Sequence, residues 1–168
     1  MGHGDYGYPV QERHPGIEVF VDYYGTRSKG CACPLSPIWR KIVSETYRIY
    51  AGTKPVRIWI EDDFRLFNHG PASLGCCCER HLEEFGRRIG KKISREELTK
   101  AVLKPGEPHP WRKPWLRFQE ECMLDVAKML REAVHSVSPS SQLALMTSSP
   151  ALMEAQGVSI NSLMKAFG

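Results

Sequence analysis

Apolar and polar residues alternate along 16–24, "GIEVFVDYY", which predicts a strand ending at Gly25. The next stretch, "GTRSKGCACPL", is rich in Gly and Pro and reads as a loop. From Ser36 the period changes. "SPIWRKIVSETYRIYAG" predicts a helix with Ser36 as N-cap and Pro37 at the first helical position. Its apolar face is expected to hold Ile38, Ile42 and Ile49, flanked by Trp39, Val43 and Tyr50. "PVRIWIEDD" alternates again and predicts a second strand, which runs into three carboxylates. A long segment of little regular signal follows. Two short helices are then expected over 79–90 and 94–102, the second opened by a Ser94–Glu97 capping box. After a proline-rich loop, a long amphipathic helix is predicted from Pro114 to Val137. "QLALMTS" predicts a third strand, closed by Thr147 and Ser148, and "INSLMKAFG" a last helix.

Strands alternating with helices imply an α/β fold of parallel β/α units. Two architectures fit: an open doubly wound sheet, or part of a (β/α)8 barrel. A whole barrel needs about 250 residues. The 168 residues here, with three strands, predict a single but incomplete domain over 1–168. In both architectures the loops after the strand ends form the active face. Cys31 and Cys33 follow the first strand, and Glu61, Asp62 and Asp63 follow the second.

Composition narrows the classes. Hydrophobic content is 42% and charged content 25%, as in ordinary globular proteins. The net charge of +4 is mixed along the chain without a block of five or six like charges, which argues against nucleic acid as a partner. The apolar runs are too short to span a membrane. "MGHGDYGYPV" lacks the features of a signal peptide, so a cytoplasmic location is expected. Five of the six cysteines fall in two tight clusters, Cys31/Cys33 and Cys76/Cys77/Cys78, with Cys122 apart on the long helix. In a reducing compartment such clustering points to metal or catalysis rather than disulfides.

Within "GCCCERH", Cys76, Cys78 and His81 form C-x-C-x2-H. Thiolate and imidazole are preferred zinc ligands, and zinc takes four in a tetrahedron. A fourth must come from elsewhere. Cys33 or Cys31 is the natural donor, because adjacent parallel strands bring their following loops side by side. The expected set is Cys33, Cys76, Cys78 and His81, with Cys31 as the alternative fourth ligand and Cys77 pointing away. Four protein ligands leave no open position, so the zinc would be structural. The plain alternative is a group of reduced, buried cysteines, the role expected of Cys122.

Glu61, Asp62 and Asp63 at a strand end raise one another's proton affinity, and a carboxyl kept protonated can act as a general acid. They are the candidate catalytic residues. The ordinary alternative is a strand-end ion cluster, with Arg65 near enough to pair. Arg65, Asn68 and His69 are the candidate substrate-binding residues, and His69 could equally cap a loop.

This order of features resembles the glycoside hydrolase family 42 β-galactosidases and related (β/α)8 barrels. The resemblance spans about 17–150. There the fourth strand ends in Asn-Glu, whose Glu is the acid/base; here Asp62-Asp63 stands in its place. A C-x-C-x2-C zinc cluster follows in the family, joined by a cysteine after the third strand. Cys76, Cys78 and His81 match it with His for the last Cys, and Cys33 or Cys31 matches the earlier ligand. Phe85 fits the family's following helix, and Trp111 and Trp115 its Trp-containing loop. The resemblance implies strands three to five of a TIM barrel, carbohydrate as substrate, and Asp63 as acid/base. It implies no residue here for the nucleophile, which the family carries on its seventh strand. A partial barrel exposes edges, so association with the missing half, or a homo-oligomer, is expected, and "MGHGDYGYP" would be a loop after a missing strand. A second reading is a non-catalytic zinc-stabilised module for carbohydrate or protein, with Trp111, Trp115, Tyr23 and Tyr24 as stacking faces. A third is a catalytic zinc with an open coordination position.

Overall fold

A computed structural model describes residues 10–147 and 149–168; the expected opening loop and Ser148 lie outside them. A short helix α1 (Val10–Arg13) leads into strand β1 (Val19–Val21). The loop expected after it is instead β2 (Arg27–Ala32), paired antiparallel with β1, Val19 opposite Ala32. Asp22 explains the tight turn between them. Its Oδ1 accepts the N–H groups of Tyr24 and Thr26 at 2.9 and 2.8 Å. Its Oδ2 accepts Ser73 N–H at 3.1 Å, tying the turn to a later hairpin.

Helix α2 (Pro37–Gly52) has proline in its first turn, as expected. Ser36 is its N-cap residue, but the side chain does not cap. The buried face also differs. Trp39 and Ala51 are buried, and Ile42, Val43 and Tyr47 pack partly against the core, whereas Ile38, Ile49 and Tyr50 are exposed. Trp39, Val43 and Tyr47 follow i, i+4, i+8, and this stripe turns toward Ile60 and Leu130.

Strand β3 (Arg57–Ile60) pairs in parallel with β6 (Gln142–Leu145), Ile58 beside Leu143 and Ile60 beside Leu145. Ile58 and Ile60 are buried under the helices, and Arg57 and Trp59 face the other way, exposed. This is the parallel unit expected from the sequence. β1, expected to join it as a parallel neighbour, pairs with β2 instead; the three pairings stay separate and close no barrel among the described residues. The segment without clear signal contains a small antiparallel hairpin, β4 (Phe67–His69) with β5 (Ala72–Leu74).

Helix α3 (Glu79–Ile89) ends at Gly90 in the left-handed conformation, and α4 (Arg95–Val102) carries the expected capping box. Helix α5 (Arg112–His135) starts two residues before the expected Pro114. Short α6 (Pro150–Ala155) was not signalled by periodicity, and α7 (Ile160–Phe167) was. Helices α2 and α7 both pack on α5.

Two apolar clusters result. The larger joins β1, β3 and β6 to α2, α7 and Met123, Val126 and Leu130 of α5. The smaller gathers Tyr23, Leu82, Phe85 and Leu98 around Trp115 and Phe118 at the start of α5. Trp115 is fully buried and donates its indole N–H to the Tyr23 hydroxyl at 2.7 Å. Tyr23 and Trp115 are therefore core anchors, not sugar-stacking surfaces. Trp111 is half-buried under the Lys91 ammonium, and Tyr24 alone of the four is exposed.

Candidate metal centre and the carboxylate turn

The Cys76–His81 segment places its ligands by two local geometries in succession. Gly75, at φ +67°, turns the chain where any Cβ would lie 2.8 Å from the Tyr23 ring. Cys78 is extended, at φ −67° and ψ 166°, and Cys76 and Cys78 lie to one side with Cys77 to the other. Cys77 N–H donates to Val21 O at 2.6 Å, and the Cys77 side chain enters the smaller cluster, while Cys76 and Cys78 enter the larger. Cys78 is then the N-cap residue of α3, and three residues on His81 returns to the same side.

Cys33 arrives from the end of β2. Its N–H donates to Glu18 O at 2.8 Å. The ligand atoms of Cys33, Cys76, Cys78 and His81 all lie within 4.8 Å of one another, and all four residues are buried. Cys33 Sγ and Cys78 Sγ are 3.5 Å apart, and His81 Nδ1 is 3.3 and 3.4 Å from them. A tetrahedral ion with zinc bond lengths has edges of about 3.5–3.8 Å; the Cys33–Cys78 edge meets this range and the two His81 edges fall just short of it. This buried Cys3His group could hold a metal ion. Cys31, buried with its Sγ toward Ala32 O at 3.6 Å, is outside the group, whose fourth residue is Cys33.

The surroundings suit anionic sulfur. Leu35 N–H donates to Cys33 Sγ at 3.3 Å. Cys78 stands at a helix N-terminus, where the dipole favours a thiolate. Its thiol is held far below the ordinary range by Cys33 and Cys76, then by His81, against the effect of burial. Burial pushes Cys33 and Cys76 well up. A cation bound here would take the place of the thiol protons. The outer His81 nitrogen, Nε2, is buried with no hydrogen-bond partner among the described residues; the ring packs on Trp115 and Phe118. Cys122 is buried elsewhere on α5 and pushed up to about 12 by that burial.

A second part of this region was not visible in the sequence. Arg80, between Cys78 and His81, pairs with Glu18, whose other oxygen accepts Ser36 Oγ at 2.5 Å. Burial opposes the charge of Glu18, but Ser36 and Arg80 outweigh it and hold its carboxyl below the ordinary value. Hydroxyl, carboxylate and guanidinium are too far apart in sequence for any pattern to link them.

After Ile60 the chain turns, with Phe64 N–H donating to Glu61 O at 3.1 Å. Glu61, Asp62 and Asp63 remain together, close enough to be a second acidic group, and Arg65 folds back onto them. Its guanidinium lies 2.9 Å from Asp62 Oδ2 and 2.8 Å from Asp63 Oδ1, and it donates to Asp62 O and Phe67 O. Asp63 and Arg65 are both buried. Glu61 and Asp63 border a cavity of about 80 Å³, whose other walls include Trp39, Val43 and Tyr47 of α2 and Leu130 of α5. That is the helix side of β3. His69 is buried, its Nε2 against Arg65 O at 2.8 Å and its ring edge-on to Phe20. Asn68 is exposed at φ +56°, a conformation asparagine tolerates. The structure thus gathers Asp62, Asp63, Arg65 and His69 into one packed unit and leaves Asn68 at its rim.

No protein-family model matches the chain, and no curated protein matches it. Among solved structures it is similar to the β-galactosidase from Bacillus circulans sp. alkalophilus, with a TM-score of 0.52 and 20% identity over 88% of this chain and 26% of that one. It is also similar to the catalytic domain of β-amylase from Paenibacillus polymyxa, with a TM-score of 0.58 and 13% identity over 94% of this chain and 51% of that one. At such identities the likeness is one of fold. The chain is a mixed α/β unit that folds like a portion of these two proteins, and it spans about a quarter and about half of their lengths. No helix among the described residues is long and apolar enough to cross a membrane.

Proposed function

We propose that the chain is a zinc-stapled portion of a carbohydrate-directed barrel of the family 42 β-galactosidase kind, in which the metal is structural. The observation that carries this reading is the convergence of Cys33, Cys76, Cys78 and His81, buried and within 4.8 Å, from two segments far apart in sequence. Sulfur and nitrogen donors in this number suit zinc, and a filled tetrahedron leaves no position for a reacting water. The ion would supply cross-linking. The residues of the chain supply the pocket, the helix N-terminus and the N–H bond to Cys33.

The carbohydrate assignment is supported by the names of the two structural neighbours and by the order of features along the sequence. For Asp63 the geometry favours a structural role. Its carboxylate is engaged by Arg65, and the adjoining cavity of about 80 Å³ is far below the roughly 300 Å³ of a small-ligand site. We therefore assign this chain the non-hydrolytic part of the reading. Further strands of the barrel, or a second copy, would cover the exposed Val56 and Trp59 of the β3 segment. The six free cysteines fit a reducing compartment, and the cytoplasm is the proposed location.

Elemental analysis tests the metal, and an aryl β-galactoside assay with calorimetric titration of galactosides tests the rest. Zinc near one per chain, sugar binding and no turnover are expected. Turnover lost in Asp63→Asn would return the acid/base role to Asp63. Absence of sugar binding would remove the carbohydrate assignment.

A further inference from the structure

We infer that Glu18 and Arg80 form an outer clasp that positions the two ligand-bearing segments of the metal centre and retards loss of the ion; this rests on the reading that the Cys3His group binds zinc. Two pieces of chain must meet to build the centre. Cys33 belongs to the turn between β2 and α2, whereas Cys76, Cys78 and His81 belong to the approach and first turn of α3. Glu18 grips the first piece three times. Its carbonyl accepts Cys33 N–H at 2.8 Å, its N–H donates to Ser36 Oγ at 3.3 Å, and its Oε2 accepts the Ser36 hydroxyl at 2.5 Å. Its Oε1 takes the second piece, accepting Arg80 Nε at 2.8 Å and a terminal nitrogen of the same guanidinium.

Ser36 shows that this arrangement displaces an ordinary one. A serine at the N-cap normally turns its oxygen to a backbone N–H of the first helical turn. Here the residue is fully buried, no such bond forms, and the hydroxyl orients the Glu18 carboxylate. The pair also differs from the ion pairs made within single helices. Lys100 and Glu96 are one helical turn apart and join nothing that the helix does not already join. Glu18 and Arg80 are 62 residues apart, and Arg80 sits between two of the ligands, Cys78 and His81. Three thiolates around a divalent ion leave a net negative charge, which the adjacent guanidinium offsets. Groups that orient ligands from outside commonly change metal affinity by about 10–100-fold when removed. The clasp is partly exposed, so the lower end applies.

The test compares the unmodified chain with Glu18→Gln, Arg80→Gln, Arg80→Lys and Glu96→Gln. Zinc affinity is read by competition with a chromophoric chelator, ion loss by stopped-flow transfer to excess chelator, and ligand geometry by the cobalt(II) charge-transfer spectrum. The clasp predicts about tenfold weaker affinity and faster loss in Glu18→Gln and Arg80→Gln. It also predicts substantial recovery in Arg80→Lys and no change in Glu96→Gln. Affinities and loss rates within twofold of the unmodified chain in both glutamine variants would overturn it while leaving the zinc reading intact. No zinc binding by the unmodified chain would overturn both.

Discussion

The Asp63 carboxylate lies 2.8 Å from a terminal guanidinium nitrogen of Arg65, with both side chains buried. The same guanidinium holds Asp62, so one arginine ties both aspartates at the end of β3. Taking away one partner leaves a buried charge unpaired, which typically costs about 3–5 kcal/mol. Arg65→Met should destabilise the fold by about 3 kcal/mol, measured by urea unfolding. Arg65→Met combined with Asp63→Asn should recover part of that loss. A single variant as stable as the unmodified chain would show that the pair does not hold the turn.

Asp22 does comparable work at the other end of the site. Burial opposes its charge, but bonds from Ser73, Thr26 and Tyr24 outweigh it, and the carboxyl is held below its ordinary value. A folded value below the unfolded one means that the contribution is present above about pH 4 and disappears as pH falls through the lower folded value. Asp22→Ala should cost about 2 kcal/mol at neutral pH, the range for hydrogen bonds to a charged group. The variant's stability should also fall less steeply on acidification. Parallel acid unfolding curves for the two proteins would contradict this.

Periodicity made much of the frame legible. Helices α2 to α5 and the parallel partners β3 and β6 follow from apolar spacing, proline and glycine positions and the Ser94–Glu97 box, all local signals. What stayed hidden was non-local. β2 has a polar, glycine-containing sequence and becomes a strand because β1 is opposite it. The β4–β5 hairpin depends on the hydrogen bonds of Ser73 to Asp22, 51 residues away. Which face of α2 is buried depends on where α5 lies, so Trp39, Val43 and Tyr47 pack inward with Ile42, and Ile38 and Ile49 stay exposed. At the candidate site, the C-x-C-x2-H spacing announced three of the four residues of the Cys3His group. The choice of Cys33 over Cys31 needed the register of β2, and the Glu18–Arg80 pair had no sequence signal.

Gly75 is required by geometry rather than by chemistry. At φ +67°, with the Tyr23 ring 2.8 Å from the position of a Cβ, alanine must strain both backbone and ring. Gly75→Ala should lower stability by more than about 1 kcal/mol, read by thermal unfolding, because it adds a steric clash to an unfavourable φ. Gly90→Ala, at a similar φ but with open space around it, should cost less. Equal losses would mean that the contact with Tyr23 is unimportant.

Cys77 and Cys78 are neighbours whose thiols enter different apolar clusters. Cys77→Ala and Cys31→Ala should therefore keep the metal, with only the stability loss of a small buried residue, about 1 kcal/mol. His81→Cys should also keep it and shift the cobalt(II) spectrum toward a four-sulfur pattern. Loss of metal in Cys77→Ala would place that thiol in the coordination shell.

Metal content by mass spectrometry on the purified chain and on Cys78→Ser tests the zinc staple itself. Close to one zinc per chain is expected in the first and a large loss in the second, with a lowered unfolding temperature. A chain that carries no metal and is unmoved by chelator or by the Cys78 substitution would contradict it.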